Sequence, residues 1–376
     1  MSQVHRYVFL ALLMLFVVAC TPVLERGQPN YRVGTEGINF EFITFPEYEV
    51  QENDQFDVEI EMHNNGAYNS RNVVVFFDAN PPNAVTLLPE SEESKIKQLR
   101  YENGFKGRSE EIPLGDVKAL NIFQIKANPL DKYYGNQREV TFSADICYDY
   151  STLATPNVCV GNKSRSPLDC KTDENNEIRF DYPEGQGSPI VVSTVVEKIK
   201  SEDGKIIPYF EITVENFGEG ETFVNKEFSE VGYLNWVQQT LRGEVKDAVA
   251  GGPLYLGATD ISGLNAGSCR NSNLRYDDAV LMYLQLSDFK DEDFTCTNMA
   301  TFDTTNNQTT KMFKLREGRA VLVCQLSKGV EPSQTAFYSP LIIKLFYNYK
   351  LTLAETASIV SADFEEENNW VTDKFK

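Results

Sequence analysis

Arg138–Val160 reads REVTFSADICYDYSTLATPNVCV, and Ser339–Val360 reads SPLIIKLFYNYKLTLAETASIV. Laid over one another, Tyr148 and Tyr150 of the first stretch fall on Tyr347 and Tyr349 of the second. Apolar side chains alternate along both, the period of a strand with one buried face. Val140, Phe142, Ala144, Ile146, Tyr148 and Tyr150 form that face in the first copy; Leu341, Ile343, Leu345, Tyr347, Tyr349 and Leu351 form it in the second. Each copy is expected to be a long strand, a turn and a returning strand that closes a block of strands. The expected fold class is all-β, with two sandwiches of one kind in tandem.

The surroundings of each copy agree. Before the first, Val58, Ile60 and Met62 alternate up to Asn64-Asn65-Gly66, a tight turn whose glycine tolerates positive φ. Asn72–Phe77 is a further strand ended by Pro81-Pro82, and Leu120–Ala127 another. Before the second, Phe210, Ile212 and Val214 alternate up to Asn216, and Gly218 follows as Gly66 follows Asn64. Ile190–Val196, Val280–Leu286 and Ala320–Leu326 supply more strands. Leu234, Val237, Leu241 and Val245 fall at helical spacing, so a short helix is expected to be inserted in the second domain over 233–249, stopped by Gly251-Gly252-Pro253. That helix reads either as a cap on an open end of the sandwich or as a partner-binding insertion. The expected boundaries are 38–160 for the first domain, 161–187 for a polar linker, 188–362 for the second domain and 363–376 for an acidic tail.

The stretch EIEMHNNGAYNSRNVVVFF resembles CARDB-type and related immunoglobulin-like surface modules, which implies two tandem immunoglobulin-like β-sandwiches. With CYDYSTLATPNVC, GQGSPIVV and AFYSPLIIKLFYNY, the chain is similar to two-domain cell-surface proteins of archaea, a resemblance that supplies no activity.

The amino terminus places the chain outside the cytoplasm. Val8–Ala19 is an apolar run of signal-peptide length behind Arg6, and it ends Val17-Val18-Ala19-Cys20. This looks like a lipoprotein lipobox: residues 1–19 would be removed and Cys20 would carry the lipid. The alternative is an uncleaved anchor helix continuing through Pro22-Val23-Leu24. Either tethers the protein to the outer face of the cytoplasmic membrane, with residues 20–37 as a flexible stalk.

Seven cysteines are present, and the six beyond Cys20 suit disulfides in an exported protein. Cys147 and Cys159 flank the expected turn around Leu153, so a cross-strand Cys147–Cys159 bridge is expected. Cys170, Cys269, Cys296 and Cys324 allow three connectivities, of which Cys269–Cys296 with Cys170–Cys324 is preferred.

A net charge of −20 argues against nucleic acid as a partner. The chain has two histidines, and His5 would leave with a signal peptide. His63 lies on the polar face with Glu59 and Glu61, so neither a histidine-dependent nucleophile nor a histidine-rich metal site is expected. No catalytic residue, metal or cofactor is assigned. The segment DFKDED, Asp288–Asp293, lacks the spacing of a calcium loop and reads as a solvated turn. The lone Gly185-Gln186-Gly187 lacks the context of a nucleotide loop. Asn162 and Asn307 head glycosylation sequons. The favoured function is structural or interaction work at the cell surface, with a protein or glycan partner. A carbohydrate-binding protein is the alternative, with Tyr133, Tyr134, Tyr233 and Trp236 as its aromatic platform. A hydrolase built on two carboxylates ranks third.

Overall fold

The structure is a computed structural model that describes residues 31–46, 49–88, 97–101, 104–130, 135–161, 178–226, 266–303, 309–331 and 336–362. Residues 31–376 belong to one compact unit. Its described residues are almost entirely β-strands and the turns between them. The first half contains β1 (Ile38–Thr44), β2 (Glu49–Gln51), β3 (Gln55–Asn64), β4 (Arg71–Asn80), β5 (Val85–Leu88), β6 (Lys97–Tyr101), β7 (Val117–Ala127), β8 (Gln137–Ala154) and β9 (Asn157–Val160). The second contains β10 (Ile178–Asp181), β11 (Ile190–Glu202), β12 (Lys205–Asn216), β13 (Glu221–Asn225), β14 (Arg275–Asp277) and β15 (Ala279–Leu286). It ends with β16 (Phe294–Cys296), β17 (Ala300–Asp303), β18 (Thr309–Lys314), β19 (Arg319–Leu326) and β20 (Phe337–Val360). A single short α-helix among the described residues, α1 (Ala266–Arg270), precedes β14.

The two copies of the repeated stretch pair with each other. Strand β8 runs antiparallel to β20 along its whole length, from Gln137 opposite Val360 to Ala154 opposite Ile343. One sheet of order β17-β18-β15-β20-β8-β4-β6 therefore crosses both halves. Two further sheets, β1-β3-β7-β5 and β10-β11-β12-β19-β16, complete the fold. The first packs on the β4–β8 part of the shared sheet: Phe77 stacks on Phe123 at 4.2 Å, and Phe56 meets Phe142 edge-on. The start of β11 meets β8 and β20, where Thr152 donates to the Ile190 carbonyl and also contacts the Tyr347 hydroxyl. Every alternating residue of the two repeated strands is buried except Leu351, which packs partly buried against the same core.

The expected strand–turn–return is corrected in both copies. β9 does not fold back onto β8; it pairs with the beginning of β20, Cys159 opposite Tyr338. β20 continues as one strand of 24 residues. Pro156 ends β8, because proline supplies no amide to the ladder. Ala354-Glu355-Thr356 at the matching place holds no proline, and β2 adds a parallel edge at Glu49–Gln51 that lengthens β20's pairing.

The repeat extends to atomic detail at the seam between β8 and β20. Tyr148 lies opposite Tyr349, and Tyr150 opposite Tyr347, so the four phenols gather about a local pseudo-dyad. In the first half the Tyr150 hydroxyl donates to Asn64 Oδ1 (3.0 Å), which also accepts from the Gly66 amide (3.1 Å). In the second half the Tyr349 hydroxyl donates to Asn216 Oδ1 (3.2 Å), which accepts from the Gly218 amide (3.1 Å). The Tyr148 hydroxyl accepts from the Ile38 amide and the Tyr347 hydroxyl from that of Ile190, and Ile38 and Ile190 pair with Asn64 and Asn216. Each Asn-x-Gly turn is thus both a local turn and the socket for a tyrosine of the shared sheet.

The segment Gly185-Gln186-Gly187 threads between the halves. Gly187 accepts from the Ala67 amide and donates to Gly34, at 2.7 Å each. The Gln186 side chain forms two hydrogen bonds with the backbone of Val192, filling in for a strand neighbour at an irregularity of β11. A Cβ on Gly187 would lie 2.4 Å from that of Ala67, so glycine is needed for close passage here.

In the second half, Asp288–Asp293 is a turn that exposes Asp288, Lys290 and Glu292 and holds Asp291 and Asp293 in ion pairs. Lys311 reaches over the Phe294 ring to Asp291, Nζ to Oδ1 3.1 Å, and donates to its carbonyl. Asp291 Oδ1 also accepts from the Leu284 amide (2.9 Å), and Lys328 pairs with Asp293 at 2.5 Å. Burial raises the Asp291 pKa, and Lys311 opposes that rise. Removing one member of such a pair leaves a desolvated charge behind. Lys311→Met is therefore expected to lower unfolding free energy by about 3 kcal/mol in urea titrations, and Lys311→Met/Asp291→Leu to recover most of the loss.

Candidate functional site on the outer face of the seam

Strand alternation sends the residues between the seam tyrosines to the opposite face of the shared sheet. Asp149 lies opposite Asn348 there. Asp149 accepts from Asn348 Nδ2 (2.5 Å) and from Asn72 Nδ2 (2.6 Å), and Asn348 Oδ1 accepts from the Asn225 amide (3.0 Å). All four residues are buried. Beside them Cys147 forms a second small apolar cluster with Val74, Phe76, Phe223 and Cys269, separate from the main core.

This face receives both ends of a long insertion. In the first half the single strand β4 runs along β8, with one register shift between Arg71 and Val74; in the second, β13 starts along β20 and β15 continues there, with residues 226–278 between them. The leading end is held where Asn225 meets Asn348. The returning end is α1, held by a disulfide from Cys269 to Cys147 of the first half. Arg270, next in sequence, lies 2.9 Å from Asp78 and 3.1 Å from Asp145, with its guanidinium 4.9 Å from the centre of the Phe76 ring. Asp145 is further bound by Thr352 (2.7 Å) and Lys350 (3.4 Å). Two carboxylates facing two cations leave the cluster with balanced charge, so it suits attachment rather than capture of an ion.

The disulfides correct the expected connectivity. Cys147 bonds to Cys269, not to Cys159, and Cys296 bonds to Cys324, not to Cys269. The Cys147–Cys159 expectation fails because the hairpin it assumed is absent: β8 and β9 each pair with β20. The Cys269–Cys296 expectation fails because Cys269 is taken by Cys147. The Cys170–Cys324 expectation fails because Cys324 is already bonded. Cys159 is also disulfide-bonded. The placement of Cys147 opposite the tyrosine face was readable from alternation. Its partner was not, because Cys269 arrives from the insertion.

His63 points away from the apolar face, and its Nε2 donates to the Leu114 carbonyl, a turn contact. Cys20, Cys170, Asn162, Asn307, Tyr133, Tyr134, Tyr233, Trp236 and the helix expected over 233–249 lie outside the described residues. Among the described residues no three histidine, cysteine, aspartate or glutamate side chains are grouped as metal ligands, and no helix is long and apolar enough to cross a membrane.

No protein-family model and no curated protein matches the chain. Among solved structures it is similar to the sporulation control protein Spo0M of Bacillus subtilis, with 10% identity over 48% of this chain and 80% of that one and a TM-score of 0.17. It is also similar to the partial N-terminal region of an enterococcal surface protein, with 8% identity over 88% of this chain and 96% of that one and a TM-score of 0.20. Both scores lie below the level at which a common fold is read.

Proposed function

We propose that the chain is an extracytoplasmic interaction protein without enzymatic activity, anchored through a lipid on Cys20 to the outer face of the cytoplasmic membrane. Its two immunoglobulin-like halves act as one rigid support for the insertion between β13 and β14, which docks a protein or glycan partner at the cell surface. The observation that carries this reading is the attachment of both ends of the insertion to the seam, at Asn225 and at Cys269-Arg270. Binding residues are characteristically placed on connections that a rigid scaffold holds. Tyr233 and Trp236 fall within this one.

Other features support the parts of the reading. The sheet order β1-β3-β7-β5 fits the A-B-E-D order of an immunoglobulin-like sandwich, with β20 of the second half beside β8 as a last strand. Buried disulfides suit an oxidising compartment. Val17-Val18-Ala19-Cys20 suits lipidation, and the acidic balance suits a soluble outer surface.

Intact mass of the membrane-extracted protein, before and after reduction, tests the anchor and compartment. The expected result is a chain beginning at Cys20 with added lipid mass, gaining six hydrogens on reduction. An unmodified chain that retains Met1 and carries seven free thiols would overturn the reading. Glycan-array binding that disappears in Trp236→Ala would assign the partner to carbohydrate; pull-down of a surface protein that is lost in the same variant would assign it to protein.

A further inference from the structure

We infer that Cys296–Cys324 is a reversible redox site, a two-electron couple for small thiols and their disulfides, whereas Cys147–Cys269 is a permanent staple. This inference does not rest on the surface reading. Cys296 and Cys324 face each other directly in the β16–β19 ladder, with Cα atoms 4.0 Å apart. That ladder is held by bonds other than the disulfide. The Thr297 amide donates to the Val323 carbonyl (2.9 Å) and the Ser327 amide to the Asp293 carbonyl (2.8 Å). Thr295 and Ser327 share a hydroxyl contact of 2.8 Å, and Phe294 is buried near Phe210. Opening the sulfur–sulfur bond therefore leaves two thiols side by side on a ladder that persists, in position to close again.

Access separates the two bridges. Cys324 is buried in the core, but Cys296 is only partly buried and lies on a three-residue strand at the edge of its sheet, whereas Cys147 and Cys269 are both fully buried. Val74, Phe76 and Phe223 surround the latter pair, and Arg270 closes over Phe76. A thiolate must reach a sulfur atom to exchange with it. At Cys296 it meets the sheet edge; at Cys147–Cys269 it must first undock α1 from the first half.

The step balances with a small thiol as reductant. Its thiolate bonds to the Cys296 sulfur, and the Cys324 sulfur leaves with the bonding pair and takes up a proton. A second thiolate attacks the mixed disulfide at the reductant's sulfur, and Cys296 leaves as a thiolate and is protonated. Two small thiols become one disulfide, and the protein gains two hydrogens. The reverse reaction uses a small disulfide as oxidant.

The test treats the intact folded protein with stepped dithiothreitol or reduced glutathione, quenches with acid, alkylates the freed thiols in denaturant and maps the labelled cysteines. Cys296 and Cys324 are expected to label on the order of tenfold or more faster than Cys147 and Cys269. Circular dichroism is expected to stay native, and glutathione disulfide to restore the bond. Equal labelling of the two bridges, or labelling of Cys296 and Cys324 only upon global unfolding, overturns the inference. Cys296→Ser/Cys324→Ser is expected to fold and to keep Cys147–Cys269 intact; if it does not fold, the bridge is a structural staple and the inference fails.

Discussion

Gly66→Ala is expected to destabilise the protein by about 3–5 kcal/mol and to lower its melting temperature by on the order of 10 °C. A Cβ on Gly66 would lie 1.9 Å from the Tyr150 hydroxyl, 2.7 Å from the Glu36 carbonyl and 2.8 Å from the Gly187 carbonyl. Two of these three neighbours are backbone, so a rotamer change cannot clear the space. Expelling the Tyr150 hydroxyl would cost its bond to Asn64 and leave buried polar atoms without their partner. Gly218→Ala repeats the experiment in the second half, where the Cβ would lie 2.2 Å from the Tyr349 hydroxyl and 2.7 Å from Pro189. None of the three nearest atoms here is backbone, unlike the two carbonyls that crowd Gly66, so the expected loss is smaller, about 2–3 kcal/mol. Thermal unfolding of both variants beside Gly135→Ala makes the comparison. Gly135 has a φ of 73° but nothing within 4 Å of its Cβ position, so that control carries backbone strain alone. Equal melting temperatures for Gly66→Ala and Gly135→Ala would show that the tyrosine socket is not what demands glycine at position 66.

Alkaline unfolding is expected to be steep and to begin just above pH 10. Burial raises the pKa of Tyr148, Tyr150 and Tyr347 well above the ordinary phenol value, with like-charge repulsion among the neighbouring phenols adding to it, and burial pushes Tyr349 up to about 12. Below pH 10 these phenols are protonated in both states and their full contribution to stability is present. Above pH 10 the unfolded chain releases protons that the folded chain keeps, so stability falls as pH rises. The slope is about 1.4 kcal/mol per pH unit for each tyrosine that stays protonated in the fold. Three such groups remove on the order of 8 kcal/mol by pH 12, comparable with the whole stability of an ordinary domain. Ultraviolet titration of tyrosine alongside circular dichroism provides the measurement. The exposed phenols should ionise first, and the seam phenols together with the loss of β-structure. Tyr150→Phe should make the pH dependence shallower by one tyrosine's share. A chain that holds its native spectrum at pH 12 with every phenol ionised would contradict the buried seam.

The functional side was less readable than the fold. Val58, Ile60 and Met62 declare their buried face by alternation, and so do Phe210, Ile212 and Val214. The recurrence of Asn-x-Gly beside each block signalled a shared feature, although its use as a tyrosine socket involves residues far apart in the chain. Nothing in Cys147 itself names Cys269, 122 residues away, as its partner. Nor does Asp145 announce Arg270, since surface carboxylates are common in this acidic chain. The attachment face is assembled from β4, β8, β13, β20 and α1, and no single stretch contains its pattern.

The sequence by itself determined which side chains of the alternating strands point inward, where the two Asn-x-Gly turns fall, and that one strand type occurs twice. Those properties follow from the two-residue period of a strand and from glycine and proline chemistry, all of which act within a few residues. Only the tertiary structure decided that the two copies pair with each other, that β9 leaves β8 for β20, and which cysteines meet. Alternation specifies the face a side chain takes but is blind to the strand beside it. A strand pairs with equal local geometry to its own hairpin or to a distant copy. Here the choice falls to contacts between copies: four tyrosines across the seam, Asp149 against Asn348 on the reverse face, and an edge strand that extends β20 beyond any hairpin.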